Sequence, residues 1–76
     1  MAEAPVRLDK YEEDRIWVIT LNRPERMNSI SMALRHALYD TWEAFAKDGD
    51  ARVAIITGAG DRAFCAGLDL RERAER

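Results

Sequence analysis

Two runs rich in β-branched residues, Ile16-Trp17-Val18-Ile19-Thr20-Leu21 and Val53-Ala54-Ile55-Ile56-Thr57, flank a stretch with helical periodicity. This order narrows the fold more than any other feature of the chain. Between the runs, Leu34, Leu38, Trp42 and Phe45 recur at helical steps and so share one face, while Arg35, Asp40, Glu43 and Lys47 fall largely on the other. Ser31 is placed to cap a helix beginning near Met32, and Gly49 is a natural stop. The Val53 run is short and bounded by Gly58, and reads as a strand buried on both faces, as in α/β layers.

The N-terminal side completes the pattern. Val6, Leu8 and Lys10 alternate with Arg7, Asp9 and Tyr11, which suits a short, partly exposed strand. The acidic break Glu12-Glu13-Asp14-Arg15 turns it into a hairpin with the Ile16 strand. Pro24 ends that second strand, since it supplies no N–H and pushes Arg23 toward extended geometry. Asp69 and Glu72 have the spacing of a capping pair, so a second helix is expected to begin there. Strand–strand–helix–strand–helix start gives an α/β chain of one and a half layers. Residues 1–5 read as a loose start, and 6–76 as the N-terminal part of a larger domain.

Composition excludes several alternatives. With 76 residues, a compact chain buries only about 60% of its unfolded surface, enough for one small core. Cys65 is the sole cysteine and His36 the sole histidine, which rules out a disulfide framework and argues against a zinc site. Twelve basic residues against 14 acidic ones, with no basic stripe interleaved with aromatics, argue against nucleic acid as a partner. No apolar run approaches a membrane span, and the first residues carry no secretory pattern. A single free cysteine fits a reducing cytoplasm.

Individual candidates mostly have structural readings. Gly58-Ala59-Gly60 follows a strand, but Phe64-Cys65 continues as an apolar stretch where a dinucleotide fold needs a helix. His36 lies inside the helix near Leu34 and Leu38 and reads as a boundary residue. Cys65, between Phe64 and Ala66, reads as a small buried hydrophobe. Trp17, Trp42 and Phe45 read as core. The segment with chemical promise is Ala66-Gly67-Leu68-Asp69. A glycine followed by a helix start leaves backbone N–H groups free, favours negative charge there, and lets a ligand approach the backbone.

Two segments together resemble the signatures of the crotonase superfamily, which includes enoyl-CoA hydratases and isomerases. One is Ile19-Thr20-Leu21-Asn22-Arg23-Pro24-Glu25-Arg26-Met27-Asn28-Ser29-Ile30-Ser31. The other is Ile55-Ile56-Thr57-Gly58-Ala59-Gly60-Asp61-Arg62-Ala63-Phe64-Cys65-Ala66-Gly67-Leu68-Asp69-Leu70. One helix lies between them, and the resemblance runs from Val6 onward. It implies a spiral of ββα repeats, of which this chain holds the first one and a half, assembled when complete as a homo-trimer or hexamer.

It further implies an enzyme that binds an acyl-CoA thioester and steadies an enolate-like oxyanion with two backbone N–H groups, hydration of a trans-2-enoyl-CoA being the leading reaction. By motif position Leu68 supplies the first N–H donor. Ala66, Leu68, Asp69, Leu70 and Arg71 match the stretch that lines the substrate, and Arg26, Met27 and Ser29 match the turn bordering coenzyme A. Coenzyme A belongs to the substrate, so no separate cofactor is implied, and no metal. The second donor and the acid/base carboxylates belong to later parts of the fold, so the 76 residues alone are expected to be inactive. Asp69 reads as a helix cap or pocket wall. Ser29 stands where the family usually has alanine, and Leu68 is bulkier than the small residue common in hydratases. Isomerisation, thioester hydrolysis, dehalogenation and a non-catalytic interaction piece remain alternatives.

Overall fold

The computed structural model describes residues 4–70. Strand β1 (Val6–Tyr11) and strand β2 (Ile16–Leu21) form an antiparallel hairpin, with Val6 opposite Leu21 and Tyr11 opposite Ile16. The acidic break Glu12–Asp14 is a 3-10 turn closed by Arg15, which takes a left-handed conformation at φ 59°. Helix α1 (Met32–Lys47) then crosses back, and strand β3 (Val53–Gly58) pairs parallel to β2, with Ile16 opposite Val53 and Leu21 opposite Gly58. The sheet order is β1-β2-β3, one ββα unit followed by the next strand.

Strand alternation decides which residues meet the helix. Trp17, Ile19 and Leu21 of β2 are buried, and register places Val6, Leu8 and Lys10 on one side of them and Ala54, Ile56 and Gly58 on the other. The Phe45 ring meets Trp17 edge-on at 5.4 Å between centroids, and fully buried Leu34 extends the same apolar seam. Lys10 lays its ammonium over the Trp17 ring at 4.6 Å, a cation–π contact that caps the seam on the β1 side.

The helix begins as the sequence predicts: Ser31 Oγ accepts the Leu34 N–H at 3.1 Å. It stops just before Gly49, as expected, but by another means. The C-cap is Asp48, in extended conformation, and its carboxylate accepts the N–H groups of Asp50 and Ala51. A side chain thus turns the chain, and no left-handed glycine is needed there; the positive-φ glycines among the described residues are Gly60 and Gly67.

The expected burial of β3 on both faces is corrected. Val53 and Ile55 are 49% and 46% exposed, because α1 covers the opposite face and no described element packs on theirs. Trp42 is likewise less buried than a core residue, and its ring meets Phe45 edge-on. Cys65 is half-buried rather than buried, with its Sγ accepting the Gly67 N–H at 3.4 Å, and His36 is exposed.

Candidate functional site

Beyond the C-terminal ends of β2 and β3, the chain forms two irregular segments, 22–31 and 59–69, that close on each other. The first is tightly wound. Pro24–Arg26 is a 3-10 turn, and Met27 and Asn28 both follow in left-handed conformation, at φ 52° and 55°. Asparagine tolerates that region; methionine there costs roughly 1–2 kcal/mol. The surrounding bonds hold it: Met27 N–H donates to Pro24 O, Asn28 N–H to Arg23 O, and Met27 O accepts the Ala66 N–H at 3.0 Å.

Asn28, with none of its surface exposed, is the clasp between the segments. Its Oδ1 accepts the Arg23 N–H, and its Nδ2 donates to Ala59 O at 3.0 Å and Ala63 O at 2.9 Å. Space for this amide exists only because position 58 lacks a side chain. A Cβ on Gly58 would lie 2.5 Å from Phe64 O and 2.7 Å from Asn28 Nδ2.

A second tie is ionic. The Arg23 guanidinium donates from Nη1 to Ser29 O at 2.6 Å and from Nη2 to Asp69 Oδ2 at 3.1 Å. The side chains of the pair are only 18% and 6% exposed. Between these ties lies an isolated parallel bridge of Ile30 with Leu68. Ile30 N–H donates to Gly67 O at 2.7 Å, and Ile30 O accepts the Asp69 N–H at 3.0 Å. In a bridge of this kind the residue between the two bonded groups has its own N–H and C=O turned the other way. The Leu68 N–H accordingly faces away from Ile30, and it donates to no described residue.

An open groove of about 430 Å³ lies here, lined by Glu25, Arg26, Met27, Ser29, Arg62, Ala66, Leu68, Asp69 and Leu70. Of the residues singled out from sequence, Arg26, Met27, Ser29, Ala66, Leu68, Asp69 and Leu70 thus come together on one surface. Arg71 lies outside the described residues, as does Glu72. Asp69 serves as a pocket wall and also pairs with Arg23.

Sequence reasoning missed Asn28 and Arg23, and the groove-lining Glu25 and Arg62. The available signal was the polar stretch between β2 and α1, too long for a simple turn and with an asparagine suited to a left-handed position. Among the described residues no group of three or more His, Cys, Asp or Glu side chains could hold a metal, and no helix is long and apolar enough to cross a membrane.

The family model for enoyl-CoA hydratase/isomerase matches residues 11–76, nearly the whole chain. The chain belongs to the enoyl-CoA hydratase/isomerase family. Its fold agrees with solved members. It superposes on an enoyl-CoA hydratase from Bacillus anthracis with a TM-score of 0.86 and 38% identity, over 95% of this chain and 28% of that one. One from Mycobacterium tuberculosis H37Rv gives 0.89 and 36%, over 97% and 28%. The α/β unit described above is therefore the N-terminal part of the crotonase fold.

Among curated relatives, (E)-benzylidenesuccinyl-CoA hydratase of Thauera aromatica is 40% identical over 68 residues, 90% of this chain and 26% of the relative. The mitochondrial 3-hydroxyisobutyryl-CoA hydrolase of Danio rerio is 43% identical over 58 residues, 76% and 15%. The chain spans about a quarter or less of the length of these two relatives.

Proposed function

We propose that this family member contributes the first half of an oxyanion hole to an acyl-CoA enzyme, with hydration of a trans-2-enoyl-CoA as its reaction. The observation that carries the reading is the Leu68 N–H, turned out of the Ile30 bridge and unpaired among the described residues, in a segment that lines the groove. An N–H fixed in this way before substrate arrives pulls on negative charge as it develops on the thioester oxygen. It therefore stabilises the transition state more than the ground state.

In this reading Ala66, Leu68, Asp69 and Leu70, continued by Arg71, line the acyl part of the substrate, and Arg26, Met27 and Ser29 border its coenzyme A portion. The second N–H donor and the acid/base carboxylates come from the remainder of the fold, in the same polypeptide or a companion. No cofactor beyond the substrate's own coenzyme A is called for. The complete enzyme is a cytoplasmic homo-trimer or hexamer. Likeness to a hydratase favours hydration; likeness to an acyl-CoA hydrolase makes thioester hydrolysis the second reading.

The test begins with the intact mass of the denatured protein, which reveals whether these 76 residues work with a further polypeptide. Enoyl-CoA is then supplied to the protein carrying the remainder of the fold. Loss of the conjugated enoyl thioester absorbance, with a hydroxyacyl-CoA as product, is the expected result. Free coenzyme A as the released product would select hydrolysis instead. No turnover of any acyl-CoA by the complete protein would overturn the enzyme reading in favour of a non-catalytic piece.

A further inference from the structure

The Leu68 N–H owes its direction to very little regular structure. The bridge with Ile30 consists of two hydrogen bonds, outside any strand, with the Ala66-to-Met27 bond beside it. Such a short ladder is weak on its own, since only continued pairing gives a sheet its rigidity. Yet the two residues bordering the bridge, Ser29 before Ile30 and Asp69 after Leu68, are both held by one side chain. The Arg23 guanidinium reaches Ser29 O at 2.6 Å through Nη1 and Asp69 Oδ2 at 3.1 Å through Nη2, and Nη1 also lies 3.5 Å from Ser29 Oγ.

We infer that Arg23 and Asp69 are positioning residues, whose ion pair clamps the two sides of the Ile30–Leu68 bridge and so sets the direction of the Leu68 N–H. The inference rests on the proposed oxyanion role of that N–H. Stability alone is a poor explanation for the pair, because a buried ion pair loses most of its Coulomb gain to desolvation and apolar residues of like volume often serve as well. What a guanidinium supplies that an apolar pair cannot is a planar, rigid fork with two directions fixed at once. Here the two directions lead to opposite sides of the bridge, and the pair lies beyond the ends of β2 and β3, where no sheet holds the segments.

The test compares Arg23→Lys and Asp69→Asn with Arg7→Ala, which removes only the exposed Arg7–Asp9 pair on the edge strand β1, neither residue of which lines the groove. All are made in the protein with the remainder of its fold. Lysine keeps the charge but lacks the planar fork whose two nitrogens serve Ser29 O and Asp69 in fixed directions; asparagine keeps an oxygen facing Arg23 without the charge. One readout is the amide cross-peak of Leu68 in the unliganded protein. It is expected to move in both clamp variants and to stay in place in Arg7→Ala.

The other readout is enoyl-CoA turnover. Arg23→Lys is expected to lower kcat by about 10- to 100-fold, as a misplacement on the order of 1 Å does, while KM stays within about threefold. Asp69→Asn shifts both readouts in the same direction by less. A purely structural role would instead reduce the folded fraction and leave kcat per folded molecule unchanged. Either that pattern or a stationary Leu68 cross-peak in both clamp variants would overturn the inference. If the unsubstituted protein turns over no acyl-CoA, the proposed function fails, and the cross-peak alone decides whether the clamp aims the amide.

Discussion

Replacing Gly58 with alanine tests the joint between sheet and groove. The added Cβ would stand 2.5 Å from Phe64 O, 2.7 Å from Asn28 Nδ2 and 2.8 Å from Phe64 Cα. Two of these three neighbours are backbone atoms, so no rotamer change relieves them. Forcing a methyl into such a space costs about 1–3 kcal/mol. The amide of Asn28 must also yield, and a buried donor pulled from its carbonyls adds about 1–3 kcal/mol. Restricting the unfolded chain returns only about 0.4–1 kcal/mol. The net expectation is a destabilisation of about 3 kcal/mol, a large share of what a single core in a chain this small can supply. Gly49→Ala is the control, because nothing lies within 4 Å of a Cβ there and its φ is not positive, so it should be neutral or slightly stabilising. Urea unfolding followed by fluorescence of buried Trp17 measures both variants. Equal midpoints for Gly58→Ala and the unsubstituted chain, at equal slope, would refute the reasoning, since the clasp would then have room to spare.

Ser31→Ala should lower stability by about 1 kcal/mol, because the Leu34 N–H loses the hydroxyl that accepts it at the helix start; the same urea titration reads this. Asp48→Asn should make stability less sensitive to acid. The N–H groups of Ala51 and Asp50, and more weakly the charge of Lys10, hold the Asp48 carboxyl below its ordinary 3.8, against a smaller opposing effect of burial. A lowered folded pKa contributes stability above pH 3.8 that is lost as pH falls through the lowered value. The variant should therefore be less stable than the unsubstituted chain at neutral pH, and the two should converge below pH 3.8 in midpoints measured across an acid series.

What the sequence made legible was local. The hairpin follows from an alternating stretch before an acidic break and a β-branched run after it, and the helix start from a serine placed before a periodic face; both depend on residues close together in the chain. The residues of the groove could be named because two signatures resemble a known family, and their meeting on one surface is what the structure adds. The clasp was not legible. Asn28 binds carbonyls 31 and 35 residues away, and Arg23 binds a carboxylate 46 residues away. Backbone carbonyls carry no sequence signature, so an amide that recognises them looks like any loop asparagine. The burial of β3 failed for a related reason. Val53 and Ile55 are apolar and β-branched whether or not a layer lies over them, and composition cannot tell a covered face from an open one.

The parallel pairing of β2 with β3 has a consequence for the order in which this chain assembles. The hairpin joins neighbours and α1 forms within itself, so both can appear early at little entropic cost. Ile16 meets Val53 only after the whole helical crossover has closed, and non-local closures of this kind are the slow ones. Asn28 cannot reach Ala59 and Ala63 until that closure has happened. The groove is therefore the last part to form and, lying outside the regular elements, among the first to open. A preparation can carry its full hairpin and helix signal in far-ultraviolet circular dichroism while its Leu68 amide points nowhere in particular. Secondary-structure content is thus no measure of how many molecules hold a competent site.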